Sequence, residues 1–202
     1  MRYRKGQREE TRQHIIDVAA RRFREDGIAA AGIAGLMADA GLTNGAFYTH
    51  FESKEDLVRE TLRETQERRR TMVESAIDDG ADVETWLRRY LSPRHRDHPG
   101  DGCVASALVA EIARHPEATR DVFHIGYERM IAIIGRGLPF GTSEQRHAVA
   151  LALYGLMIGT LQLARAAGKN AESDAILENG VQAGLKLVET DRPRRQGRSA
   201  AG

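Results

Sequence analysis

The stretch from Ile33 to Phe51, IAGLMADAGLTNGAFYTHF, constrains the fold more than any other part of this chain. Ile33, Leu36 and Met37 recur at helical spacing, and Gly41 is placed to stop that short helix. Leu42 reads as a buried turn residue, and Thr43 stands where it can cap a second helix carrying Phe47 on its inner face. Two short helices joined by a tight glycine-containing turn form a helix-turn-helix pattern. The second helix is too polar at its start to be core alone. Thr43, Asn44, Gly45, Tyr48, Thr49 and His50 offer hydroxyl, amide and imidazole groups beside a bare backbone, an inventory suited to the edge of a DNA groove. The competing reading of this stretch by itself is an ordinary helical hairpin.

The run AGLTNGAFYTHFESKEDL resembles the signature of the TetR (tetracycline-repressor-like) family of transcriptional regulators. Ala40, Gly41, Leu42, Gly45, Phe47, Tyr48, Phe51, Ser53, Lys54 and Leu57 match its pattern position by position. Two departures lie upstream. Gly32 stands where the family carries a capping threonine, and Gly35 replaces an acidic residue inside the first motif helix. The latter costs up to about 1 kcal/mol of helix propensity relative to alanine. Neither touches the reading helix. The resemblance covers about residues 10–60; beyond that, only the order of helices is similar. It implies that Lys54 reaches a DNA phosphate; Thr43, Asn44 and Ala46 are expected to face base edges, and Tyr48 and His50 to face phosphates with it. Phe47 and Phe51 are then core.

The flanks agree with such a head. Residues 1–8, with Arg2, Arg4, Lys5 and Arg8, read as a basic arm or a solvated tail. From Glu9 to Asp26 the rows Ile15, Ala19, Phe23 and Ile16, Ala20 predict an amphipathic helix stopped by Gly27, packed on Leu36, Leu42 and Phe47. Arg21, Arg22 and Arg24 are expected to be solvated. Ser53 and Asp56 give a capping signal for a helix of about 25 residues, long enough to leave the head and enter a second domain. Its Arg68, Arg69 and Arg70 read as a solvated face. The expected divisions are 1–52 for arm and head, 53–190 for an effector-binding and dimerisation domain, and 191–202 for a disordered tail.

The fold class expected is all-α: a three-helix DNA-binding head followed by a larger helical bundle, about nine helices in total. In the bundle, Val83 to Leu91 predicts a short helix, SPRHRDHPGDG (92–102) a polar loop, and Cys103 to Arg114 an enclosed helix. A helix follows Pro116, a capping box at Thr142 and Gln145 opens a long helix to Ala167, and a last helix runs from Ser173 to Glu189. Val149 to Leu163 has apolar side chains on more than one face, which points to burial both in its own core and in a partner. Gly155 and Gly159, and then Gly180 and Gly184, are spaced to let helices approach closely, so these four are the expected dimer contacts. The resemblance implies the same homodimer, its interface built from the last two helices of each chain.

Composition limits the other possibilities. A net charge of +1 argues against a general nucleic-acid coat while allowing a local basic patch. The N-terminus lacks a signal-peptide apolar region and no apolar run is expected to reach transmembrane length, so the chain reads as cytoplasmic with no membrane partner. No cofactor and no catalytic residue is expected: there is no phosphate loop, nucleophile elbow or HExxH. His95 and His98 lack a second ligand pair, so no metal site is expected either. The expected partners are a double-stranded operator, a second copy of the chain and an apolar or aromatic small-molecule effector. Trp86, Tyr90, Cys103, Phe123, Tyr127, Met130 and Met157 are the candidate pocket residues, with Tyr90, Tyr127 and Tyr154 as polar handles; filling the core is the competing role for each. Cys103 is further read as either a redox sensor at a helix start or a small buried hydrophobe. The expected activity is that of an effector-released repressor. The alternative is a helical ligand-binding or redox-sensing protein whose DNA-binding role is lost or secondary.

Overall fold

The computed structural model describes residues 6–139 and 141–190. Most of the basic arm and the tail after 190 lie outside the described residues. Regular structure among those described is helical only: ten α-helices and one 3-10 turn. The head comprises α1 (Gln7–Asp26), α2 (Ile33–Asp39), α3 (Asn44–Phe47) and the start of α4 (Lys54–Asp78). Gly27 ends α1 at φ 88°, and Gly41 makes the tight turn after α2 at φ 69°, conformations that cost glycine little. Gly32 begins α2 with no side-chain cap. Thr43 holds the corresponding place before α3, but its side chain makes no cap bond either, contrary to expectation. Ser53 does cap α4, its hydroxyl accepting the Asp56 N–H at 3.1 Å.

Ile15, Ile16, Ala19 and Phe23 pack on Leu36, Met37, Phe47 and Phe51, with Leu42 only partly buried. This core extends past residue 52. Leu57, Val58 and Leu62 of α4 complete it, together with Val104, Leu108 and Ile112 from α7.

The body adds α5 (Val83–Tyr90), α6 (Pro93–Asp97), the 3-10 turn Pro99–Asp101, α7 (Val104–Ile112), α8 (Glu117–Gly137), α9 (Ser143–Ala167) and α10 (Ala171–Thr190). Its core gathers Leu87, Tyr90, Ile131, Ile134, Leu153, Met157, Leu161 and Val181. The capping box at Thr142 and Gln145 is formed in both directions.

Several expectations are corrected. The 92–102 stretch is an ordered connector. Ser92 caps α6, and Arg96 is buried, donating to Asp97 and Asp174 at 2.7 Å each and to Ser173 at 2.8 Å. The polar residues that suggested a loop satisfy one another inside the fold. Arg24 is likewise no solvated side chain, since its Nε donates to the Gly100 carbonyl at 2.8 Å. Arg68 reaches back to Asp17 of α1 at 2.7 Å, Arg69 lies 5.9 Å from the centre of the Tyr90 ring, and Arg70 joins Glu67 and Glu74.

Gly180 and Gly184 face inward. A Cβ at Gly180 would overlap the Thr160 methyl, and one at Gly184 would lie 3.0 Å from Leu87 and 3.1 Å from Leu153. They serve close packing within one chain, which removes them from the expected dimer contact. Gly155 and Gly159 face outward with open space around them. Finally, α9 is long and apolar enough to cross a membrane by composition, against expectation, although only 33% of that window is buried. Its apolar character has an internal cause on one side, where Ala150, Leu153, Met157 and Leu161 enter the core.

Candidate DNA interface and effector clefts

The motif presents a small, mostly polar surface. Phe47 and Phe51 anchor α3 in the head core with ring centroids 5.5 Å apart. Thr43, Asn44, Gly45, Tyr48 and Thr49 are all exposed, Tyr48 by 66%. Ala46 is partly buried and packs against the head core, so it offers less surface than Asn44. The Thr49 hydroxyl donates to the Ala46 carbonyl at 2.7 Å, and Arg8 donates to the Thr49 carbonyl at 2.8 Å. Thus α1 braces the end of the reading segment. His50 is half-buried and its Nδ1 makes no hydrogen bond. Burial, reinforced by the charges of Arg8 and Arg12, pushes its pKa down and favours the neutral ring. Lys54, at the start of α4, reaches the Ala29 carbonyl at 3.4 Å.

Among the described residues, three polar ties join this head to the elements after α4. Glu111 of α7 accepts the N–H groups of Ile28 and Ala29 in the α1–α2 connection. Arg24 of α1 holds the 3-10 turn through Gly100. Glu55 of α4 accepts from Thr119 at 2.5 Å and pairs with His115 at 2.9 Å. Burial opposes ionisation of Glu55, but those hydrogen bonds outweigh it and hold its pKa below the usual carboxylate value. Sequence periodicity could not reveal these ties, because each joins residues on different elements.

The expected pocket residues separate into two groups. Trp86 lies between two small apolar grooves: one of about 20 Å³ with Ile77, Val83 and Leu138, and one of about 50 Å³ with Met72, Val73 and Tyr90. Cys103, Met130 and Met157 are packed in the core, while Phe123 and Tyr127 are partly buried against it. None of these five lines either groove.

Cys103 sits at the N-cap of α7, buried, with its Sγ 3.5 Å from the Tyr154 hydroxyl. Burial raises its pKa, while the Arg69 charge and hydrogen bonds from its neighbours act against that and carry it below the usual thiol value. His95 supports the same corner. Its Nδ1–H donates to the Tyr90 carbonyl at 2.7 Å and its Nε2 accepts the Cys103 N–H at 3.0 Å, which defines a neutral tautomer. Burial, with the charges of Arg69 and Arg165, pulls the His95 pKa down to about 4. Among the described residues, no three His, Cys, Asp or Glu side chains are grouped to hold a metal ion.

The arrangement is a helix-turn-helix head with exposed polar residues on its second helix, seated on a helical body. Residues 15–61 match the family model for bacterial regulatory proteins of the tetR family. The match covers the helix-turn-helix and its flanking helices, and a TetR/AcrR family member of known structure shares the fold at 20% identity. The chain is 45% identical over 56 residues to the HTH-type transcriptional regulator AcrR of Shigella flexneri, which covers 28% of this chain and 26% of that protein. It is 31% identical over 134 residues to the HTH-type transcriptional regulator TtgR of Pseudomonas putida, covering 64% and 62%. The chain thus spans less than two thirds of either relative's length. Among solved structures, the reduced form of E. coli NemR superposes with a TM-score of 0.74 at 21% identity over 88% of this chain and 96% of that one. The likeness there is one of fold.

Proposed function

We propose that this protein is a ligand-responsive transcriptional repressor that binds a palindromic operator as a homodimer and is released by a small-molecule effector. The exposed polar face of the second motif helix, matched to the family's DNA-binding domain, carries this reading. Thr43 and Asn44 reach base edges, with a smaller contribution from Ala46, while Tyr48, Thr49, His50 and Lys54 reach phosphates. Among the described residues, nothing outside its own helix crowds Gly45, so the backbone there can approach DNA closely.

The second copy docks on α9. Leu151, Gly155, Gly159 and Leu163 form an i, i+4 row; the two leucines are 47% and 64% exposed and the glycines stand in open space. Leaving a row of that kind in water is unfavourable, and a two-fold partner covering it would set the two heads about one turn of DNA apart or somewhat more. A soluble homodimer also accounts for the apolar composition of α9 without a membrane, and the reading places the protein in the cytoplasm with no catalytic role.

The effector enters beside Trp86 and Tyr90. Both grooves there are smaller than an apolar or aromatic effector requires, so binding forces them open and favours a second packing of α4 against α5. Moving a population from nearly all bound to nearly all released takes a differential affinity of about 5 kcal/mol between the two packings. Selection of bound sequences from random DNA tests the core of the reading: a two-fold symmetric site is expected, and failure to enrich any sequence would reject it.

A further inference from the structure

We propose that a cleft between α4 and α8, away from the Trp86 grooves, binds a small organic oxyanion that also carries a hydroxyl or amine hydrogen. The cleft has a volume of about 200 Å³ and is lined by Arg63, Gln66 and Arg70 from α4 and by Val122, Ile125 and Arg129 from α8. Gln66 forms its floor. This side chain is only 8% exposed, and its Nε2 donates to the Phe123 carbonyl at 3.0 Å. That bond fixes the amide orientation and leaves Oε1 buried without a donor. Buried acceptors in folded proteins are paired as a rule, so an unpaired one at the floor of a cleft marks where a ligand's donor hydrogen fits. The place is built for this side chain: a Cβ on Gly126 would overlap the Gln66 amide carbon.

The rim supplies the charge. Three guanidinium groups face one carboxylate, Glu67, in the lining. Arg70 is engaged by Glu67 at 2.6 Å and by Glu74 at 2.7 Å. Arg63 contacts Glu60 through one Nη atom, and Arg129 comes no nearer than 3.9 Å to Glu67. A guanidinium carries five N–H donors in a planar fork, so Arg63 and Arg129 retain donors for a carboxylate or phosphate. Val122 and the 53% exposed Ile125 offer an apolar wall for the carbon skeleton. The volume lies below the roughly 300–1,000 Å³ of sites for drug-sized ligands, which sets the occupant as a small metabolite. Because α4 continues into the head core through Leu57 and Leu62, an occupant that bridges α4 and α8 bears on the head as well.

Isothermal titration of the full-length protein tests the site without DNA, so a failure of operator binding would not bear on it. Mandelate is compared with phenylacetate, and 2-hydroxyethyl phosphate with ethyl phosphate; each pair keeps the anion and the carbon skeleton and differs by one hydroxyl. In at least one pair the alcohol-bearing member should bind tenfold or more tightly than its counterpart, and the pair that does so identifies the oxyanion. Arg129→Ala, at an exposed position, should weaken that binding at least tenfold, and Gln66→Leu should abolish the preference within the pair. Absence of saturable binding by all four compounds, equal affinity within both pairs, or wild-type affinity in Arg129→Ala would each overturn the proposal. Should Gln66→Leu not fold, the wild-type pairs and Arg129→Ala still decide it.

Discussion

The carboxylate of Glu111 accepts the backbone N–H of Ile28 at 2.9 Å, and its other oxygen takes the N–H of Ala29 at 2.6 Å. One body side chain thereby closes the turn between α1 and α2, just after Gly27, where a Cβ would sit 3.1 Å from the same carboxylate. Head and body share this contact, so the geometry of the motif depends on the position of α7. Glu111→Ala leaves both N–H groups to partial solvation. We expect a loss of about 1–3 kcal/mol, as for unpaired donors, with weaker operator binding. Urea unfolding measures the first, and an unchanged midpoint would show that the tie contributes nothing.

His95 predicts an acid limit. Its folded-state pKa is about 4, lowered mainly by burial, against an ordinary value of 6.5. Since the folded form prefers the neutral ring, the unfolded chain takes up the proton first as pH falls. Stability should decline from about pH 6.5 down to about pH 4, by roughly 3 kcal/mol in total for this group. Protonated Nε2 would also point a hydrogen at the Cys103 N–H it now accepts. In His95→Gln, denaturant midpoints at pH 4.5 and 7 should lie closer together than in the wild type.

For DNA binding, Lys54 and Asn44 should behave differently. On the proposed reading, Lys54→Ala removes one phosphate contact and should weaken binding to all sequences alike and lower the salt slope by about 1. Asn44→Ala should mainly relax the base preference at one operator position. Fluorescence anisotropy at several salt concentrations separates them, and an unaltered slope in Lys54→Ala would remove it from the phosphate contacts.

The outward and inward glycines give an internal control for the dimer. Gly159 has open space around it among the described residues, so Gly159→Phe should leave the protomer intact and overpack the proposed partner contact. Sedimentation at micromolar concentration should show monomer and operator affinity should fall. Gly180→Ala should instead lower protomer stability, because its Cβ would run into Thr160. A Gly159→Phe protein that remained dimeric would exclude that residue from the interface.

The grooves at Trp86 make a spectroscopic prediction. This residue is the chain's only tryptophan, and effectors that release operator should change its fluorescence as they open the packing around it. An operator-releasing ligand that left the emission unchanged would place the effector elsewhere.

The sequence by itself determined most of the helices and the head. Local signals suffice there: Gly27 and Gly41 turn the chain at positive φ after α1 and α2, Ser53 caps α4, and the rows through Ile15 and Phe23 allow one buried face. The motif was legible for the same reason, since its exposed polar residues and buried Phe47 lie within a few positions of each other. What the tertiary structure decided are partnerships between distant residues. Arg24 and Arg96 look like solvated charges until Gly100 and Asp174 are brought beside them. Gly155 and Gly180 are equivalent as letters, yet one faces open space and the other Thr160, because spacing fixes which residues share a helix face but not what packs against that face. The same holds for Gln66: only the approach of α8 buries its amide, pairs one end with Phe123 and leaves the other unpaired.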